Sequence, residues 1–196
     1  MHIRSGDIFL RNRRYFPQYG QPPVQYFVDV IGSKQWADVS ILTSAASAPE
    51  LNPTFSALKE MNSQGLLGPN VAMYDDRPLL VDLRAMLCAD GLAVARSSME
   101  FVTVAHSRAR HLFLPAACGH GTYSRAEHSV ENYIFPVNPD NSTLLCLQRP
   151  EAKVYGIEWD TSREPYSVYN AWNITDEQLV EMVTYDGIKG IQRCCV

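Results

Sequence analysis

The sequence predicts an α/β fold, a parallel sheet with helices packed on both of its faces. Three observations predict it. From Met1 to about Pro115, short apolar runs alternate with stretches of helical periodicity, the rhythm of repeated strand–helix–strand units. The short runs, such as Val39-Ser40-Ile41-Leu42-Thr43 and Leu92-Ala93-Val94-Ala95, are almost continuously apolar, as strands covered on both faces must be. The composition, 46% apolar and 19% charged over 196 residues, is enough to fill one core of this size. Residues 1–115 are therefore read as the core. Residues 116–196 are richer in turn residues and less regular, and are read as an irregular extension packed on it, with a helix near 176–185.

The elements follow in order. His2-Ile3-Arg4 has the look of a strand end. Residues 8–22 carry Pro17, Gly20 and Pro22 and form a loop. Pro22-Pro23 suits a helix start, and Val24, Phe27, Val28 and Ile31 recur at helical spacing before Gly32. Val39–Thr43 is a buried strand. Asn52–Gln64 is a helix with Phe55, Leu58 and Met61 on one face. Asn70–Tyr74 is a strand. Leu79–Ala89 is a helix whose apolar stripe is Leu79, Leu80, Leu83, Met86 and Leu87. Leu92–Ala95 is a strand, Ser98–Ser107 a helix and His111–Leu114 a strand. Near the end, Thr175 caps a helix over 176–185 with Leu179, Val180 and Val183 inward.

Several function classes are excluded or disfavoured. A net charge of −4 gives no general basic field, against a dedicated nucleic-acid binder. No apolar run approaches the ~20 residues of a membrane span, and residues 1–15 do not read as a signal peptide. No GxGxxG follows a strand, against a dinucleotide-dependent dehydrogenase. The histidines His106, His111, His120 and His128 show no HExxH spacing, and the cysteines form no CxxC, so no metal site is expected. Cys88 falls in an apolar helical pattern and is read as core. Cys194 and Cys195 are adjacent, and are read as free or bound to other thiols. Asn141 and Asn173 open glycosylation triplets that matter only in a secretory compartment.

In such sheets ligands bind beyond the carboxyl ends of the strands, which directs attention to residues 4–8, 43–48, 74–78 and 95–100. In the first, Arg4 and Asp7 stand three residues apart around Gly6. Arg4 can give two parallel hydrogen bonds to a phosphate, and Gly6 permits close backbone approach. A structural Arg–Asp pair that ties down the turn is the competing reading. In the last, Ser97-x-x-Glu100 has the form of a capping box, so a helix amino terminus there could hold a phosphate or be simply well capped. Asp75-Asp76-Arg77 follows a strand and reads as a solvated turn or a ligand edge. Arg11, Arg13 and Arg14 surround Tyr15 and Phe16, and read as a solvated loop before an anion site.

"HIRSGDIF" resembles the His-x-Arg-x-Gly-Asp signature of the fucosyltransferase superfamily of GT-B fold, which includes the α1,2-, α1,6- and protein O-fucosyltransferases. "YGQPP" with "VQYFVDVI", "LVDLRAMLCADGLAVARSSMEF" and "HLFLP" resemble further stretches of that family in order. The resemblance covers roughly residues 2–115. It implies a Rossmann-like sheet like the carboxyl-terminal, donor-binding domain of a GT-B glycosyltransferase. The activity implied is transfer of fucose, or another sugar, from a nucleoside diphosphate such as GDP-fucose to a glycan or protein hydroxyl, without a metal or other cofactor. Arg4 would grip the diphosphate, supported by Asp7, within a first motif that also includes His2 and Gly6. Asp76 and Asp82 would lie near base and ribose, and Ser97, Ser98 and Phe101 near the diphosphate. The resemblance further implies a facing amino-terminal domain and a Golgi or secretory setting, leaving this chain as a donor-binding half or fragment. A non-catalytic nucleotide-binding or interaction domain with a degenerate site is the alternative.

Overall fold

A computed structural model describes residues 1–3, 22–43, 52–95, 98–115, 118, 142–159 and 176–195. Among them the helices are α1 (Val24–Gly32), α2 (Pro53–Ser63), α3 (Leu79–Cys88), α4 (Ser98–His106), α5 (Ser142–Gln148) and α6 (Asp176–Thr184). The strands are β1 (Val39–Leu42), β2 (Val71–Tyr74), β3 (Gly91–Ala93), β4 (His111–Phe113), β5 (Lys153–Trp159) and β6 (Ile188–Arg193). The fold is α/β, as the alternation of apolar runs predicts. The Thr175 cap and the 8–21 loop lie outside the described residues, as do the Arg11–Phe16 cluster and Asn141 and Asn173.

β1 and β2 pair in parallel, with Val39 opposite Val71 and Leu42 opposite Tyr74. β3, β4 and β5 are also parallel, and β6 closes that group antiparallel to β5, with an irregularity at Glu158/Trp159. Residues 1–3 knit the two groups together. The His2 N–H donates to the Ala93 carbonyl (3.2 Å), the Ile3 N–H to Leu42 (2.9 Å) and the Leu42 N–H to Met1 (2.9 Å), and His2 bridges Leu42 in parallel. Across the molecule the order is therefore β2, β1, the 1–3 segment, β3, β4, β5, β6.

Side-chain alternation divides the interior in two. On one face Ile3, Ile41, Ala93, Phe113 and Ile157 meet Phe27 and Val30 of α1 and Phe55 and Leu58 of α2, and α6 packs beside both helices. On the other, Leu92, Leu112 and Val154 meet Met86 of α3, Val104 of α4 and Leu145 of α5. Each fully buried Leu, Ile or Phe contributes about 1.5–3 kcal/mol, so these two layers fix the sheet. Local chemistry sets the helix starts. Asn52 caps α2 by accepting the Phe55 N–H at 3.1 Å, ahead of Pro53 in the first turn.

Four sequence expectations are corrected, the first in α6, where Val180 (60%) and Val183 (41%) are exposed and Met182 is buried instead. In α3 the predicted stripe is rotated: Leu79 (59%) and Leu80 (78%) are exposed, and the buried residues are Asp82 and Met86. Asp82 and Met86, four apart, share one face, and turning that face inward turns the first-turn leucines outward. Cys88 is exposed and free instead of core, because it lies away from the Met86 face. The sequence reading also passed over β5 and β6, so the 116–196 region supplies two strands of the sheet as well as the expected helix. Cys194 and Cys195 are each bound to another thiol, Cys194 to Cys118 and Cys195 to Cys146.

Candidate functional site

The carboxyl ends of β1, β2 and β3 and the exit of the 1–3 segment share one edge of the sheet. Two of the sequence-singled residues lie there. His2 is 6% exposed and Asp82 5% exposed. His2 is held by its strand position between Leu42 and Ala93. Asp82 is held by α3, whose first turn closes with the Val81 and Asp82 N–H groups on the Pro78 carbonyl. The two lie close enough for His2 to act electrostatically on the Asp82 carboxyl.

Arg77 completes the group. Its Nε lies 3.2 Å from Asp82 Oδ1, its Nη2 donates to the Val81 carbonyl at 3.4 Å, and its guanidinium sits 4.4 Å over the Tyr74 ring, a favourable cation–π arrangement. The Arg77–Asp82 contact is an ion pair by distance, yet among the described residues Oδ1 has no hydrogen-bond partner. A buried carboxylate oxygen thus keeps acceptor capacity in hand, an uncommon condition in a folded interior.

Burial pushes the Asp82 pKa above its ordinary value, with Arg77 and then His2 pulling the other way. The carboxyl therefore holds its proton more readily folded than unfolded. Its contribution to stability is full below about pH 3.9, the unfolded value, and declines as pH rises through the folded value. Ionised Asp82 is a cost the apo fold carries.

Asp76 is exposed in the turn after β2, next in the chain to Arg77, and its neighbour Asp75 pairs with Lys59 at 3.0 Å. Ser98 and Phe101 belong to α4, and their side chains lie outside the described residues. Arg4, Gly6, Asp7 and Ser97 lie outside them altogether. Arg77 was read only as part of the Asp75-Asp76-Arg77 edge and Tyr74 not as a site residue, since an Arg five positions before an Asp across a helix start has no motif form. Among the described residues no cluster of His, Cys, Asp or Glu could hold a metal, and no helix is long and apolar enough to cross a membrane. Comparison with protein-family models, with curated proteins and with solved structures finds no match.

Proposed function

We propose that the chain binds a nucleoside diphosphate sugar such as GDP-fucose at this edge, as the donor-binding half of a GT-B, fucosyltransferase-like glycosyltransferase. The carrying observation is the buried Asp82 oxygen with unused acceptor capacity beside His2. A desolvated carboxylate acceptor suits the N–H edge of a guanine or the hydroxyls of a ribose. Counting the 1–3 segment as the first strand, the order reads 3-2-1-4-5, that of doubly wound mononucleotide-binding sheets. In those the ligand crevice opens where the order reverses, which here falls between Ile3 and Ala95.

The motif residues supply the remaining roles. Arg4, directly after Ile3, would hold the diphosphate bidentately, with Asp7 and Gly6 shaping the turn. The Ser97–Phe101 stretch would turn amides toward it. In transfer, the acceptor hydroxyl oxygen attacks the anomeric carbon, the bond from that carbon to the diphosphate oxygen breaks, and Arg4 stabilises the departing charge. The hydroxyl proton goes to a base outside the residues assigned here. The two disulfides favour an oxidising, secretory setting for this chemistry.

Calorimetric titration with GDP and GDP-fucose tests the reading. Arg4→Ala is expected to abolish binding, and Asp82→Asn to weaken it at least tenfold. At pH 7, Asp82→Asn should leave the apo protein as stable as the parent or more so, because the ionisation cost is gone. Affinity lost without stability lost marks a ligand group. Indifference of the parent chain to both nucleotides would remove the donor-site reading, and binding without sugar transfer would favour the non-catalytic alternative.

A further inference from the structure

At the sheet edge opposite the His2–Asp82 pair, β3, β4 and β5 begin and β6 ends. Four rings meet there on the α1 face. Phe113 stacks on Tyr155 with centroids 4.7 Å apart. Trp36, from the turn between α1 and β1, stands edge-on to both Phe113 and His111 at 6.0 Å. The His111 and Tyr155 ring centroids are 5.9 Å apart, and His111 Nδ1 lies 3.2 Å from the Tyr155 hydroxyl. Phe113 is buried, whereas Trp36, His111 and Tyr155 are half-buried, so the last three form a platform at the surface. We infer that this edge is a binding surface for an acidic glycan, a chain of pyranose rings carrying sulfate or carboxylate groups.

Cations surround the platform. The Lys34 Nζ lies 5.7 Å over the Tyr155 ring. Lys153 stands opposite His111 in the ladder, and Arg193 opposite Tyr155, so alternation puts both side chains on the face that carries the rings, and both are exposed. Among the described residues none of these three cations pairs with a carboxylate. The acids nearby are engaged elsewhere, Asp90 with Arg110 at 2.6 Å and Glu151 with Arg149. Asp38 precedes β1, beyond the 1–3 segment from β4 and β5. Like charges gathered without counter-charges focus a positive potential, although the chain as a whole carries −4. An anion relieves their mutual repulsion.

His111 responds to the same groups. Lys34 acts on it from the α1–β1 turn, Arg110 from its own strand start, Lys153 from β5 and Asp90 from the start of β3. Burial first, then Lys34, holds its pKa below the ordinary value; Asp90 pulls upward, and Lys153 and Arg110 add to the lowering. The protein alone therefore keeps His111 neutral at pH 7. An anion among these cations reverses the balance and draws a proton to the ring. Nδ1–H then donates to the Tyr155 hydroxyl and Nε2–H is available to the anion. Binding takes up a proton, so it tightens as pH falls. The rings select what carries the anion. An aromatic face is apolar and electron-rich, and it suits the C–H face of a pyranose. A nucleobase would also stack, but the two disulfides favour an oxidising compartment, where the abundant polyanions are glycans.

Calorimetric titration with a heparin-derived tetrasaccharide tests the assignment. Saturable binding is expected, at least tenfold weaker in Lys153→Ala/Arg193→Ala, whose thermal midpoint should match the parent because both side chains are exposed. Lys189→Ala, at the other end of β6, should bind as the parent does. Affinity should rise several-fold as pH falls from about 7.5 to about 5.5, and His111→Gln should lose that rise. Absence of binding, or equal affinity in the Lys153/Arg193 variant, would overturn the inference. So would equal affinity for uncharged maltotetraose, or full competition by inorganic sulfate at the same concentration, which would leave a bare anion site. Tighter binding of oligothymidylate would overturn it in favour of a nucleic acid. GDP affinity is read on the same samples and should not change in the Lys153/Arg193 variant, so failure here leaves the donor-site proposal to its own test.

Discussion

Reduction of the two disulfides is expected to lower the thermal midpoint by roughly 8–16 °C. β6 is the antiparallel edge of the sheet, with Ile188 buried and Lys189, Gln192 and Arg193 exposed, so little apolar burial holds its far end. What holds it is covalent. Cys194 joins Cys118 beyond β4, and Cys195 joins Cys146 in α5, across sequence separations of 76 and 49. At the first anchor a ladder hydrogen bond, Cys194 N–H to the Val154 carbonyl at 2.9 Å, joins the end of β6 to β5. Cross-links closing loops of this size stabilise by about 4 kcal/mol each when taken singly. The two loops overlap, so the second constrains a chain already constrained by the first, and the pair contributes less than the sum. For a chain of this length each 1 kcal/mol moves the midpoint by about 2–4 °C, so a single cross-link's worth gives the range stated. Calorimetry with and without reductant checks it, beside a Cys194→Ser/Cys195→Ser variant that should match the reduced parent. Cys88→Ser should change nothing, since that thiol is exposed and unbonded. A midpoint insensitive to reductant would mean that the sheet edge holds itself.

Much of the fold was legible because its elements obey one period each. Val24, Phe27 and Ile31 spell out α1, and the apolar runs spell out β1 to β4, since strands covered on both faces leave no polar residue to confuse the pattern. β5 and β6 were harder for a physical reason. In Lys153–Trp159, Val154 and Ile157 are buried while Lys153 and Glu158 are exposed, and the break at Glu158/Trp159 disrupts a strict alternation. β6 is an edge strand with one buried side chain and a glycine, which by composition resembles a loop. The rotation of α3 was hidden for the opposite reason. Leucines at Leu79 and Leu80 outvote a lone aspartate in any count of apolar positions, yet the structure turns the aspartate inward. Of the site, His2 and Asp82 could be named from the motif resemblance, but their proximity could not, because they are eighty positions apart in sequence. Arg77 could be placed with Asp75 and Asp76 at a possible ligand edge, but its contacts with Asp82 and the Tyr74 ring could not be read from the sequence. The pairing of the adjacent cysteines depends on the end of β6 lying between β4 and α5, which is tertiary information throughout.

Replacing Tyr26 is the second large effect expected, and its two forms separate packing from polar work. Tyr26 is 1% exposed and packs edge-on against Phe27 at 4.9 Å. Its hydroxyl faces two carbonyls, Phe113 at 2.8 Å and Val94 at 3.0 Å, at the carboxyl ends of neighbouring strands. One hydroxyl hydrogen shared between them clamps β4 to β3 where the ladder ends. Truncating a buried aromatic to alanine costs about 3–5 kcal/mol, so Tyr26→Ala should approach the loss on reducing the disulfides. Tyr26→Phe keeps the ring and removes only the clamp, at about 0.5–1.5 kcal/mol, since the Phe113 carbonyl still accepts the Val94 N–H at 3.2 Å. Urea denaturation reads both costs. The clamp also bears on the proposed site, because Val94 leads through Ala95 toward the 97–101 stretch assigned to the diphosphate. Tyr26→Phe should therefore weaken GDP binding several-fold at a temperature where the variant is fully folded, whereas a conservative core change such as Leu145→Met, on the far helical layer, should not. Equal affinity in Tyr26→Phe and the parent would confine the hydroxyl to holding the sheet together.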